Sequence, residues 1–132
     1  MDLVVDTSAL LAVLLEEPER DALIRLTAGA TVCIPPSVPW EIGNALSALV
    51  RRRRLTRSQA RRVVRSFEAI PVEAVGIDLE RAVDLAAVNG LYAYDGYLLE
   101  AARVRRAPLV TLDRPLRAAA ERIGLSVVEL PS

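Results

Sequence analysis

Apolar residues fall into two rhythms along this chain. Solid short runs, Leu3-Val4-Val5, Val32-Cys33-Ile34 and Leu109-Val110, are bounded by Asp, Pro or Gly, as expected of strands buried on both faces. Between them apolar positions recur every three or four residues, as at Ile42, Leu46 and Leu49, the mark of helices with one buried face. The pattern predicts a strand over 3–6, a helix from about 8 to 15, a helix over 19–28 ended by Gly29, and a strand over 31–34. A helix then follows a Ser37 cap to about 53, with Pro39 in its first turn, and another runs from 57 to about 69 behind a Thr56 cap. Next come a strand over 71–75, a helix from an Asp78 cap to about 89, and a helix opened by Asp95 and running to 106. A strand over 108–112, a helix over 115–123 and a fifth strand over 126–130 complete the chain. Thr7 or Ser8 is expected to cap the first helix and Trp40 to be packed. The alternation predicts an α/β fold, a parallel sheet covered on both faces. The 132 residues suit one domain, 1–132.

Composition narrows the chemistry. With 52% apolar residues the chain can build a core. Its longest apolar run, 9–15, is far short of the ~20 residues that span a bilayer. Asp2 and Asp6 flank that run unfavourably for export, so a cytoplasmic, soluble protein without membrane contact is expected. Cys33 is alone and lies in an apolar run, which excludes a disulfide and a cysteine metal cluster and suits a small buried hydrophobe. The absence of histidine removes Ser-His-Asp and Cys-His nucleophiles and histidine-bound zinc. All 17 basic residues are arginine, so Schiff-base chemistry and a Walker-type phosphate loop are excluded too. Net charge is zero but unevenly spread: residues 51–65 hold eight arginines and no acid.

What remains is carboxylate chemistry. Asp6 and Asp113 each end an apolar strand and precede a helix, so both belong on the carboxyl edge of a parallel sheet, where ligands bind. Asp95 and Glu41 open helices that begin on the same edge. Each alone could be a helix cap, a turn former or a complement to a helix dipole; four from separate segments on one edge call for a hard divalent cation. Mg²⁺ held by Asp6, Glu41, Asp95 and Asp113 suits phosphodiester hydrolysis. Thr7, Ser8, Asn44 and Thr111 are expected to support them. Glu16, Glu17, Glu19, Asp21, Glu68, Glu73, Glu80, Asp84, Glu121 and Glu129 are expected on the solvated surface; Glu100 stands apart because it lies in an apolar helix near the site.

Val5-Asp6-Thr7-Ser8-Ala9-Leu10, Glu41-Ile42-Gly43-Asn44-Ala45-Leu46, Tyr94-Asp95-Gly96-Tyr97-Leu98-Leu99 and Val110-Thr111-Leu112-Asp113 together resemble the PIN-domain ribonucleases, and within them the VapC-type toxins of toxin–antitoxin pairs. The resemblance covers almost the whole chain. It implies a PIN-like (Rossmann-like) three-layer α/β/α domain with a five-stranded parallel sheet ordered 3-2-1-4-5. It also implies a Mg²⁺- or Mn²⁺-dependent endoribonuclease that forms a homodimer and is inhibited by a small cognate antitoxin. Asp6, Glu41, Asp95 and Asp113 fall on the family's acidic positions, and Asn44 and Thr111 on supporting ones. Gly96 departs from an alanine common in the family, and a looser start to that helix is expected. Arg57, Arg61, Arg62 and Arg65 could track an RNA backbone or face an antitoxin. The alternative reading is a catalytically inactive PIN-like module that binds RNA or protein.

Overall fold

The computed structural model describes residues 1–130; the last two positions of the expected 1–132 domain lie outside the described residues. Its elements are β1 (Asp2–Val5), α1 (Thr7–Leu14), α2 (Arg20–Thr27), β2 (Thr31–Ile34), α3 (Val38–Arg51), α4 (Arg57–Glu68), β3 (Val72–Ala74), α5 (Leu79–Val88), α6 (Ala93–Arg105), β4 (Leu109–Val110) and α7 (Arg114–Arg122). The sheet is parallel, in the order β3-β2-β1-β4. The expected fold class and strand order are therefore found.

Alternation along the central strand makes the three layers. Leu3 and Val5 point to a core shared with Leu10, Ile34, Ile42, Leu46 and Phe67. Val4 points the other way, to Cys33, Leu98, Leu99, Leu109 and Leu116. Helices α1–α4 thus cover one face, and α6 and α7 the other. Cys33 is buried, as its apolar run predicts. On α3 the expected stripe of Ile42 and Leu46 is buried. Thr56 caps α4 in a reciprocal box with Gln59, and Asp78 caps α5 through the Arg81 N–H.

The fifth strand is corrected. Residues 126–130 form no strand of their own; a single parallel bridge joins Leu109 to Val127 outside β4. The position matches the expected order, but β4 is only two residues long and offers the outer segment one residue to pair with. Leu109 donates to Ser126 and accepts from Val128, each at 2.9 Å. β4 stops early because the backbone of residues 112 and 113 turns its N–H groups to side chains at the sheet edge. Among the described residues no helix is long and apolar enough to cross a membrane.

Gly96 also differs from expectation. A side-chain carbon there would stand 2.2 Å from the Ala82 carbonyl oxygen and 3.0 Å from the Ala86 methyl. The glycine lets α6 lie directly against α5, so it tightens this crossing where a looser helix start was expected.

Candidate metal centre at the carboxyl edge of the sheet

Asp6 is the centre of the edge. It follows β1 and is 4% exposed. It, and neither Thr7 nor Ser8, caps α1: its Oδ1 accepts from the Ala9 N–H at 2.9 Å. Ser8 donates to the same oxygen at 2.7 Å, and Thr111 donates to Oδ2. Both hydroxyls are themselves oriented by backbone. The Leu112 N–H donates to Ser8 Oγ at 3.1 Å, and the Asp113 N–H to Thr111 Oγ1 at 2.9 Å. Two relays therefore run from residues 112 and 113 into one carboxylate, every proton aimed at its charge. A carboxylate has about four acceptor sites, and Asp6 uses three.

Asp113 caps α7 through the Leu116 N–H at 3.0 Å on Oδ1. Asp6 and Asp113 are thus both helix caps at the sheet edge; as alternatives to a role in a site, the sequence offered a cap for Asp6 and a turn for Asp113. Asp95 is different. α6 begins at Ala93, with Tyr92 in the cap position and no side-chain cap bond, so Asp95 sits inside the first turn and does not open the helix. Glu41 lies in the first turn of α3 and accepts from Ser37 Oγ at 2.9 Å. Ser37 makes no cap bond of its own; its role as a Glu41 partner was missed, though the four-residue spacing on one helix face carries the signal.

The four acids feel one another. Burial pushes Asp6 above the ordinary aspartate value; Thr111, the Ala9 N–H and Ser8 pull it back, and the Asp113 charge adds to the rise. Burial likewise raises Glu41, opposed by Ser37 and Thr7, with Asp6 and Asp95 adding to it. Asp95 is raised by burial first, then by Asp113 and Asp6. No arginine is a leading influence on these three carboxyls, and the sequence holds no histidine or lysine.

Whether these groups suit a hard cation can be tested on the donors. All are oxygens. Thr7 Oγ1 is buried with no hydrogen-bond partner; it stands near enough to Glu41 to hold that carboxyl down without closing a bond of normal geometry. An orphaned hydroxyl beside repelling carboxylates fits an edge that receives water and a cation. Among the described residues no three carboxylates stand close enough to hold one ion directly.

Other expected residues fare unevenly. Asn44 is exposed on α3, and among the described residues its side chain bonds none of the acids. Glu100 does not join the site. It is fully buried and binds Arg103 Nε at 2.7 Å and Nη2 at 2.9 Å, with the Asp78 N–H at 3.3 Å. Trp40, expected to be packed, is 76% exposed. Arg57, Arg61, Arg62 and Arg65 are all exposed on α4, and no arginine of residues 51–65 pairs with an acid among the described residues.

A Rossmann-like α/β domain with carboxylates gathered at the carboxyl edge of its sheet defines the class. Residues 3–122 match the PIN domain, and the chain belongs to the PIN domain family. The fold is similar to PAE2754 from Pyrobaculum aerophilum, at 25% identity and a TM-score of 0.73 over 93% of this chain and 86% of that one. It is also similar to the Mycobacterium tuberculosis toxin VapC20, described as cleaving the sarcin–ricin loop (17% identity, TM-score 0.67, 98% and 99% covered). A third similar structure is VapBC2 from Rickettsia felis, bound to a promoter DNA fragment (18%, 0.66, 98% and 98%). At such identities the last two likenesses are of fold. No curated protein sequence matches the chain.

Proposed function

We propose that this protein is a Mg²⁺- or Mn²⁺-dependent endoribonuclease, the toxin of a cytoplasmic toxin–antitoxin pair, hydrolysing RNA phosphodiester bonds at Asp6, Glu41, Asp95 and Asp113. One observation carries the proposal: Asp6, Glu41 and Asp95 are each raised by burial and by neighbouring acids, and the Asp113 charge acts on both Asp6 and Asp95 at the same sheet edge. Membership of the PIN domain family and the fold shared with a toxin that cleaves RNA support it. The fold shared with VapBC2 supports a small antitoxin as partner, and a homodimer is part of the same proposal.

Asp6 and Asp95 are the main ligands. Asp6 contributes its one free acceptor site, held in place by the Ser8 and Thr111 relays. Among the described residues the Asp95 carboxylate accepts no hydrogen bond, which leaves both oxygens free for ion and water. Glu41, steadied by Ser37, and Asp113, steadied by its cap, complete the shell directly or through water and orient the attacking water. When bound, the ion supplies charge stabilisation at the phosphoryl oxygens and lowers the pKa of water. Thr7 offers a hydroxyl to a water beside Glu41. Asn44, exposed near that end of α3, would reach substrate and not the acids. The α4 arginines Arg57, Arg61, Arg62 and Arg65 would follow the RNA backbone.

The test is cleavage of structured RNAs with and without Mg²⁺ or Mn²⁺, beside Asp6→Asn and Asp95→Asn. Metal-dependent cleavage lost in both variants is the expected result. A second reading, a PIN-like module that binds without cutting, is favoured by the spacing of the acids, no three of which close on one ion. Absence of cleavage together with absence of metal binding by calorimetry would select it.

A further inference from the structure

The chain has five aromatic residues, and they are not distributed as a core would use them. Only Phe67 is buried. Trp40 is 76% exposed, Tyr92 87% and Tyr94 54%. These three sit in the first turns of the two helices that carry Glu41 and Asp95. Trp40 directly precedes Glu41 on α3; Tyr92 occupies the cap position of α6, and Tyr94 directly precedes Asp95. Both helices begin at the carboxyl edge of the sheet, and each carries an exposed ring directly beside its acid.

Residues adjacent on a helix point about 100° apart, so Trp40 and Tyr94 stand beside the carboxylates and do not wall them in. Tyr92 is three residues before Asp95, the spacing that shares a face. Tyr94 is steadied by an edge-on contact with Tyr97, ring centroids 5.8 Å apart at 87°. Rings left in water at this cost have a use where a flat apolar partner arrives with a polar backbone. An unpaired nucleotide is such a partner: its phosphate goes to the acidic, metal-binding edge and its base lies on a ring beside it. A base held in a duplex offers no free face.

We infer that Trp40 and Tyr92, with Tyr94, are base-stacking residues that flank the scissile phosphate. The inference rests on the nuclease proposal for the identity of the phosphate's destination. It assigns sequence-tolerant stacking to the rim of the site and leaves the charge-dependent part of binding to the arginines.

Trp40 is the single tryptophan, so its fluorescence reports on the site directly. Short single-stranded oligouridylate and oligoadenylate are titrated against the full chain in the Asp95→Asn background with Mg²⁺, beside the same sequences as a duplex. Saturable quenching by single strands and much weaker quenching by duplex is expected. Tyr92→Ala, read by the same fluorescence, and Trp40→Ala, read by anisotropy of labelled RNA, should each weaken binding about tenfold, with Trp40→Phe recovering most of it. The salt dependence should not change, since no charge is removed. Affinities within about twofold of the parent in both alanine variants, or equal quenching by duplex, would overturn the assignment. So would a change of oligomeric state by sedimentation with RNA affinity intact, which would place the rings in a protein interface. Metal-dependent cleavage unaffected by both alanine variants would leave the nuclease standing and the stacking refuted; stacking by a chain that cuts no RNA would do the reverse.

Discussion

Gly96→Ala puts the packing behind the site to a quantitative test. The added methyl would stand 2.2 Å from the Ala82 carbonyl oxygen. An ordinary carbon–oxygen contact needs about 3.3 Å, so α5 and α6 must part by about 1 Å. The obstacle is backbone, which cannot swing aside as a side chain does. Overpacking of this kind costs up to about 3 kcal/mol. Alanine regains about 1 kcal/mol over glycine within a helix, leaving a net loss of about 2 kcal/mol. With an unfolding entropy of about 2.1 cal/mol/K per residue over 132 residues, Tm should fall by roughly 7 °C. Asp95 is the preceding residue, so a displacement of about 1 Å should also reduce metal-dependent cleavage by on the order of a hundredfold. Calorimetry of Gly96→Ala alone and combined with Ala86→Gly separates the causes. The second change relieves the 3.0 Å methyl contact but not the carbonyl, so it should restore little. A Tm equal to or above the parent's, or full rescue by Ala86→Gly, would refute the reasoning.

Other perturbations have equally definite outcomes. Since Asp6, Glu41 and Asp95 are raised, the folded metal-free protein keeps protons that the unfolded chain has lost; its stability should fall as pH rises from the ordinary 3.8 and 4.5 through the raised values. Asp2, lowered by Arg105, works oppositely, its contribution present above 3.8 and lost as pH falls further. Melts in EDTA should show Asp95→Asn flattening the first slope and raising Tm at neutral pH; a lower Tm would contradict the repulsion. Thr111→Val removes a donor to a buried carboxylate and leaves the Asp113 N–H unpaired, for a loss of about 1–3 kcal/mol by denaturant titration; no change would dismiss the relay. Arg103→Ala should lower Tm more than the double change with Glu100→Gln, because the single change strands a buried charge. Reversing Arg57, Arg61, Arg62 and Arg65 to Glu should weaken RNA binding and shallow its salt slope; an unchanged slope assigns the patch elsewhere.

The legible parts of this molecule are those whose signal is local. Asp6 and Asp113 follow apolar runs directly, so their edge position could be read from neighbours in sequence. Asp95 was expected to open its helix, but the helix starts at Ala93 and the aspartate lies inside the first turn, its backbone N–H bonded to the Tyr92 carbonyl. Trp40 was misplaced because a lone tryptophan ordinarily packs, and only the surrounding fold reveals that nothing covers it. Glu100 had its partner in view three residues ahead. The Asp78 N–H that also binds it comes from 22 residues away, a contact only the α5–α6 crossing creates. The same crossing explains Gly96: its need for space is set by a carbonyl on another helix. The fifth strand had the right apolar run but depended on the length of β4, which the edge cut short.

That shortening links fold to site. Residues 111–113 could have extended β4; instead a hydroxyl and two N–H groups turn toward Asp6 through Thr111 and Ser8. A buried carboxylate is costly unless its charge is met by donors, and here they come from the turn that also sets Asp113. Ladder bonds are exchanged for bonds that hold two of the four acids in register. The exchange meets the Asp6 carboxylate with donors that oppose its rise and leaves one acceptor site open, with Asp95 and Glu41 repelling across the gap. Such an edge is least stable alone, so the proposed metal binding predicts a rise in Tm with Mg²⁺ or Mn²⁺ that is lost when these four acids are neutralised.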